Sequence, residues 1–185
     1  MDTKNLSIIR QSFANTVFTH KVQEIAVENK ENRSFYIKII NIVLVSVVLV
    51  LLLVQAYYPE EVIISSLASG VTIAEIIFLI IQLFFNLDQQ VIHHKNSALE
   101  YMGLRDEYKS LIADIMSNNV SNKNLLDKRD SLQNKYLSIG KLSPQTGRKE
   151  YERAQIRLNK IVVEGEDFTW SEKEINRFLP ERLKL

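Results

Sequence analysis

Hydrophobic positions follow two patterns along this chain: long apolar runs between residues 39 and 87, and a three-four rhythm of single apolar residues on either side. Residues 39–58 read IINIVLVSVVLVLLLVQAYY, twenty positions without a charge. A helix of that length crosses a hydrocarbon core of about 30 Å. After Pro59, Glu60 and Glu61, a second run over residues 62–87 holds sixteen Val, Ile, Leu or Phe and a single charge, Glu75, near its middle. Each of those apolar side chains favours insertion by about 0.3 to 0.6 kcal/mol, against about 3 kcal/mol for one central acid. Insertion wins, and the pattern predicts spans at 35–58 and 62–87. A cleaved signal peptide is not expected, because some 38 residues precede the first run and the second follows almost at once.

The linker 59–61 carries two acids and no Lys or Arg, whereas Arg33 and Lys38 precede the first span and His93, His94 and Lys95 follow the second. The positive-inside rule then places both flanks in the cytoplasm and the turn outside. So short a linker makes the spans antiparallel neighbours, with Pro59 stopping the first. The predicted organisation is an amphipathic cytoplasmic helix over 1–34, spans at 35–58 and 62–87 joined by the turn 59–61, and a cytoplasmic helical domain over 88–185.

Outside the spans the rhythm is helical. Leu6, Ile9, Phe13, Val17 and Phe18 give a weak amphipathic lead-in. Tyr101, Leu104, Tyr108, Leu111 and Ile115 form one stripe; Leu125, Leu132, Tyr136 and Ile139 a second; Tyr151, Ala154, Leu158 and Ile161 a third. Three such helices make a small bundle or coiled coil. No strong breaker precedes Asn118-Asn119, so the second span is expected to continue as one helix to about Met116, a rod of about 80 Å. Ser143-Pro144-Gln145-Thr146-Gly147 separates the second and third stripes, and Ser171 with Glu174 is a capping-box start for a last short helix before Pro180. The fold class is thus an all-α membrane protein: a two-span hairpin with a cytoplasmic helical bundle.

Polar residues in the second span are ordered too. Ser65, Thr72, Glu75, Gln82 and Asn86 fall three or four apart, or multiples of that, with Ala68 and Leu79 completing one face. By sequence spacing the first span offers no matching stripe, since Asn41, Ser46 and Gln55 do not line up on one continuous face, so a lone hairpin is expected to press Glu75 against aliphatic groups or lipid, both costly. Self-association as a homo-oligomer resolves this, with the polar faces lining either a hydrated path or a dry hydrogen-bonded seam. Ser66, Gly70 and Ala74 favour close helix contact on an adjoining face.

Formal charge is only +1, but residues 121–160 hold ten Lys or Arg against four acids, net +6, while 88–120 and 161–185 are each −2. Arg129, Arg148, Lys149, Arg153 and Arg157, with Lys128, are candidates to bind an anion such as a nucleotide phosphate or acidic headgroups. The competing reading is a solvated surface neutralised by Asp130, Glu150 and Glu152. Arg129 interrupts an apolar stripe, where it could pair with Asp106 or Asp114 or reach a ligand. With no cysteine, three histidines lacking ligand spacing, and five isolated glycines, no catalytic residue, metal site or cofactor is expected.

The order of short motifs is the most specific signal. Phe18-Thr19-His20-Lys21 leads into the hairpin, followed by Leu104-Arg105 with Tyr108, Arg129-Asp130, Pro144 with Thr146, Tyr151, Phe168-Thr169-Trp170-Ser171, Glu174-Ile175 and Leu179-Pro180. This resembles the SLATT proteins, two-span effectors of bacterial conflict systems, over nearly the whole chain from about Phe18, and looks like the branch associated with reverse transcriptases. The resemblance implies an inner-membrane antiphage effector that answers a nucleotide second messenger, or a partner nucleotidyltransferase or reverse transcriptase, by forming or gating a pore. It supplies no catalytic residues. The alternative is a non-conducting, membrane-anchored scaffold that recruits a partner enzyme.

Overall fold

The computed structural model describes residues 3–160 and 169–185; Ile161 of the third stripe and Phe168 of the aromatic motif lie outside the described residues. Among those described, every regular element is helical: α1 (Thr3–Tyr57), α2 (Val62–Phe85), α3 (Leu87–Met116), α4 (Asn122–Leu142), α5 (Arg148–Arg157), α6 (Glu172–Arg177) and a 3₁₀ turn at Glu181–Leu183. The chain divides into two compact units, Met1–Val27 with Ile92–Leu185, and Glu28–Val91. α1 has no break near residue 34, so the amphipathic lead-in and the first span are one helix.

In the Glu28–Val91 unit the two apolar runs pair through a narrow seam. Pro59 cannot extend α1; Tyr58 N donates to Val54 O at 3.0 Å, Glu61 N to Tyr58 O at 3.3 Å, and α2 begins at Val62. On α1 from Ser34 to Tyr57 the buried and half-buried positions are Ser34, Ile37, Asn41, Leu44, Val48, Leu51 and Gln55, alternately three and four apart. On α2, Ala68 and Glu75 are buried, with Ser65, Thr72 and Gln82 half-buried at the same alternation. A shared three-four alternation lines the seam between the two antiparallel helices, with Ile64, Val71 and Phe78 half-buried beside it on α2. Gln55 Nε2 donates to Ser65 Oγ at 3.1 Å and Lys30 Nζ to Gln90 Oε1 at 2.8 Å; in both pairs the residue numbers add to 120, which fixes the register along the hairpin.

α1 therefore does offer the polar stripe a counterpart, contrary to the sequence expectation. Only Ser46 faces outward, bonding Ile42 O in its own helix at 2.7 Å. Asn41 and Gln55, fourteen residues apart, sit two heptads apart on the seam. Elsewhere the spans turn apolar side chains outward: Leu53 is 64 % and Phe84 86 % exposed. A core helix of a soluble protein buries such residues, whereas lipid is the solvent that accepts a continuous outward apolar surface.

The helix from Val62 to Met116 is not one rod. Asn86 adopts φ 30°, ψ 63°, ending α2 through Asn86 N on Gln82 O, and its Oδ1 accepts from Gln89 N at 3.3 Å to start α3. Asparagine tolerates the left-handed region and is a good N-cap, so one residue serves both ends.

In the other unit, the lead-in helix is central rather than peripheral. Leu6, Ile9, Phe13, Ala14, Val17, Phe18, Val22 and Ile25 of α1 are buried against the stripes of α3 and α4, with Ala154 of α5 and Trp170, Ile175 and Leu179 beyond. All three tail stripes need α1 to close their core. Ser121 caps α4 by accepting from Asn124 N at 3.4 Å, and Ser171 with Glu174 forms the expected capping box before α6.

Candidate functional site

Two candidate surfaces arise from the sequence: the polar face of α2 and the basic groups of α4 and α5. On α2, Ser65, Thr72 and Gln82 are half-buried in the seam, Glu75 is 9 % exposed, and Asn86 is an exposed cap. Thr72 Oγ1 returns to Ala68 O at 2.8 Å, and Ser65 is taken by Gln55. Glu75 has no hydrogen-bond or ion-pair partner among the described residues. The seam levels opposite it are Leu44 and Val48, and one turn away Asn41 Oδ1 is likewise buried without a partner. Glu75 is thus largely buried at mid-span, and the Asn41 amide oxygen is wholly so. Ser66, Gly70 and Ala74 lie exposed on the adjoining face, and a Cβ added at Gly70 would meet nothing within 4 Å.

The basic candidates are separated by their partners. Arg129 donates from Nε and Nη2 to Asp130 Oδ1 at 2.9 and 2.8 Å, and from Nη1 to Asn5 Oδ1 at 2.8 Å. It pairs with neither Asp106 nor Asp114: Lys128 holds Asp114 at 2.9 Å, and Lys109 and Arg105 hold Asp106. On α5, Arg148, Lys149, Arg153 and Arg157 are all exposed, and Arg148 binds Glu152 at 2.6 Å, which raises its pKa further. Among the described residues no group of three or more His, Cys, Asp or Glu has a metal-binding arrangement.

A polar cluster around a fully buried arginine was not visible in the sequence. Arg10 on α1 is fully buried and reaches Glu172 (2.8 Å), Asn176 Oδ1 (2.5 Å) and Leu183 O (2.9 Å). Next to it Gln11 exchanges two bonds with the backbone of Trp170, and Asn15 Oδ1 accepts from the indole Nε1 at 2.7 Å. Phe18 packs on Tyr151 and Trp170, with ring centroids 4.9 and 5.8 Å away. Thr19 Oγ1 meets Tyr136 Oη at 3.0 Å, and Gln23 joins His94 Nδ1 at 2.7 Å. Burial lowers the His20 pKa and pushes Tyr108 up to about 12. The conspicuous motif residues of the tail therefore hold the bundle together. A polar row at Arg10, Gln11 and Asn15 beside an apolar stripe was the available signal.

The profile of the SMODS and SLOG-associating 2TM effector domain, family 4, matches residues 6–174. The chain belongs to this SLATT family. The matched stretch runs from the first core residue of α1 to the capping glutamate of α6, so this SLATT domain comprises both spans and nearly all of the helical bundle. With two outward-facing apolar helices and a two-span family, it is a membrane protein of the effector class. No curated protein and no solved structure matches the chain.

Proposed function

We propose that this SLATT domain is a pore-forming effector of a bacterial conflict system. It lies in the inner membrane with both termini cytoplasmic, its domains divided as the sequence predicts, and it oligomerises to open when its cytoplasmic helices receive a nucleotide-type signal or a partner nucleotidyltransferase or reverse transcriptase. The observation that carries this reading is Glu75, buried at mid-span without a partner. A central acid costs about 3 kcal/mol on insertion scales, which a passive anchor avoids with leucine. Leu44 and Val48 return none of that cost. If copies of α2 rotate their polar faces to a common axis, Glu75 regains water and favours cations, with Thr72 and Gln82 as uncharged lining. The exposed row Ser66, Gly70 and Ala74 suits the close helix approach this assembly needs. Exposed cations of α5 are the proposed receiving surface for an anionic signal.

A second reading, favoured by the inward turn of the polar face within a single hairpin, is a non-conducting scaffold that recruits an enzyme. Planar-bilayer recording of Glu75→Gln and Glu75→Leu, beside their oligomeric state in detergent, separates the two. The pore reading expects altered conductance or selectivity from Gln and none from Leu; wild-type currents from an intact Glu75→Leu oligomer would remove Glu75 from the conduction path.

A further inference from the structure

We infer that the base of the hairpin is a binding site for one anionic phospholipid. Within the Glu28–Val91 unit, where α2 ends at the Asn86 break, a cavity of about 500 Å³ opens between α1 and α2. Its two halves differ in chemistry. One is apolar: Phe78, Ile81 and Phe85 recur three and four apart on a single face of α2, with Ile37 of α1 opposite, and Ile81 and Phe85 are 48 % and 64 % exposed. The other half is basic, built from Lys30, Arg33 and Lys38 of α1.

The partners of these three cations determine what the site takes. Lys38 is committed to Asp88 at 2.8 Å, and Ser34 donates to the same carboxylate at 2.6 Å; these bonds hold the Asp88 pKa below the ordinary carboxylate range. Lys30 bonds only a neutral amide, Gln90 Oε1, so its charge is uncompensated. Arg33 has no hydrogen-bond or ion-pair partner among the described residues. Three cations against one acid leave the cavity at net +2, beside an apolar wall at the end of a span. That pairing matches a phosphodiester headgroup with an acyl chain laid along Phe78, Ile81 and Phe85, as in basic pockets between spans that take acidic lipids. A guanidinium suits the phosphate because its fork presents two donors at once. A soluble phosphate compound would use only the basic half and leave the apolar wall in water. The site stands whether or not the domain conducts.

The test is native mass spectrometry of the full chain in neutral detergent, titrated with phosphatidylglycerol, phosphatidylcholine or inorganic phosphate. We expect one phosphatidylglycerol to bind at least about twentyfold more tightly than phosphatidylcholine. In the Lys30→Gln, Arg33→Gln pair that preference should fall about twentyfold, since each cation near an acidic headgroup is worth about fivefold. Arg33→Lys should keep most of it, and Lys123→Gln with Lys141→Gln, exposed on α4, should leave it unchanged. Both altered positions in the cavity are exposed or half-buried, and unchanged helicity by circular dichroism verifies the fold. Equal binding of the two lipids, an undiminished preference in the paired variant, or displacement of the lipid by millimolar inorganic phosphate would overturn the assignment.

Discussion

Arg10 and Glu172, 162 positions apart, meet at 2.8 Å, with the arginine wholly buried and the glutamate 51 % exposed. Because Glu172 keeps water, the ion pair itself adds little. The buried guanidinium depends more on Asn176 Oδ1 and Leu183 O, which no water can replace. Arg10→Ala is expected to destabilise the bundle by about 2 to 3 kcal/mol, from lost hydrogen bonds and a cavity. Trp170, the sole tryptophan and 2 % exposed, reports it directly. Its emission should shift red at lower urea than in wild type, and an unchanged midpoint would show that the 169–185 segment docks without Arg10.

The seam register predicts which residues cross-link. Val48 and Thr72 share a level by the 120 relation of Gln55–Ser65 and Lys30–Gln90, and the chain has no native cysteine to interfere. Val48→Cys with Thr72→Cys should form an intramolecular disulfide under mild oxidation, whereas Val47→Cys with Thr72→Cys should not. Dimers on non-reducing gels in place of a shifted monomer would mean that α2 turns its polar face to another copy, the arrangement proposed for the open state.

Asn86 should be sensitive in a graded way. Its φ of 30° costs a β-branched or bulky side chain about 1 to 2 kcal/mol, and losing the Gln89 cap adds about 1 kcal/mol. Asn86→Gly should cost only a few tenths of a kcal/mol, because glycine accepts the backbone. Hydrogen exchange at residues 86–90 checks the order: fast in Asn86→Val, close to wild type in Asn86→Gly.

His20 makes the bundle sensitive to acid. Burial is the main cause of its lowered pKa; Arg105 and Lys21 act the same way, and Glu24 at 3.6 Å and Asp106 oppose them. The unfolded chain therefore binds the proton more readily, so stability is complete above about pH 6.5 and falls as pH drops through the window below it. His20→Gln should flatten the slope of unfolding free energy between pH 7 and 5. An equal slope in the variant would move the acid sensitivity elsewhere.

Length, apolarity and spacing along the chain already determined the two spans, the stop at Pro59, the capping box at Ser171, and the face shared by Thr72, Glu75 and Gln82. These are local consequences of helical periodicity, turn chemistry and the width of a bilayer. Three features needed tertiary structure. Asn41 and Gln55 join the seam because a 3.5-residue repeat, apolar at Leu44, Val48 and Leu51, is what packs against α2; comparing polar residues alone missed it. Arg10 is buried because partners more than 160 positions away converge on it, a coincidence that no local pattern encodes. Arg129 turns to Asn5 and Asp130, not to Asp114, since helix packing decides which of several acids lies within a guanidinium's reach. Periodicity orients each helix about its own axis, but the choice of neighbour belongs to the fold, where long-range contacts compete for the same surface.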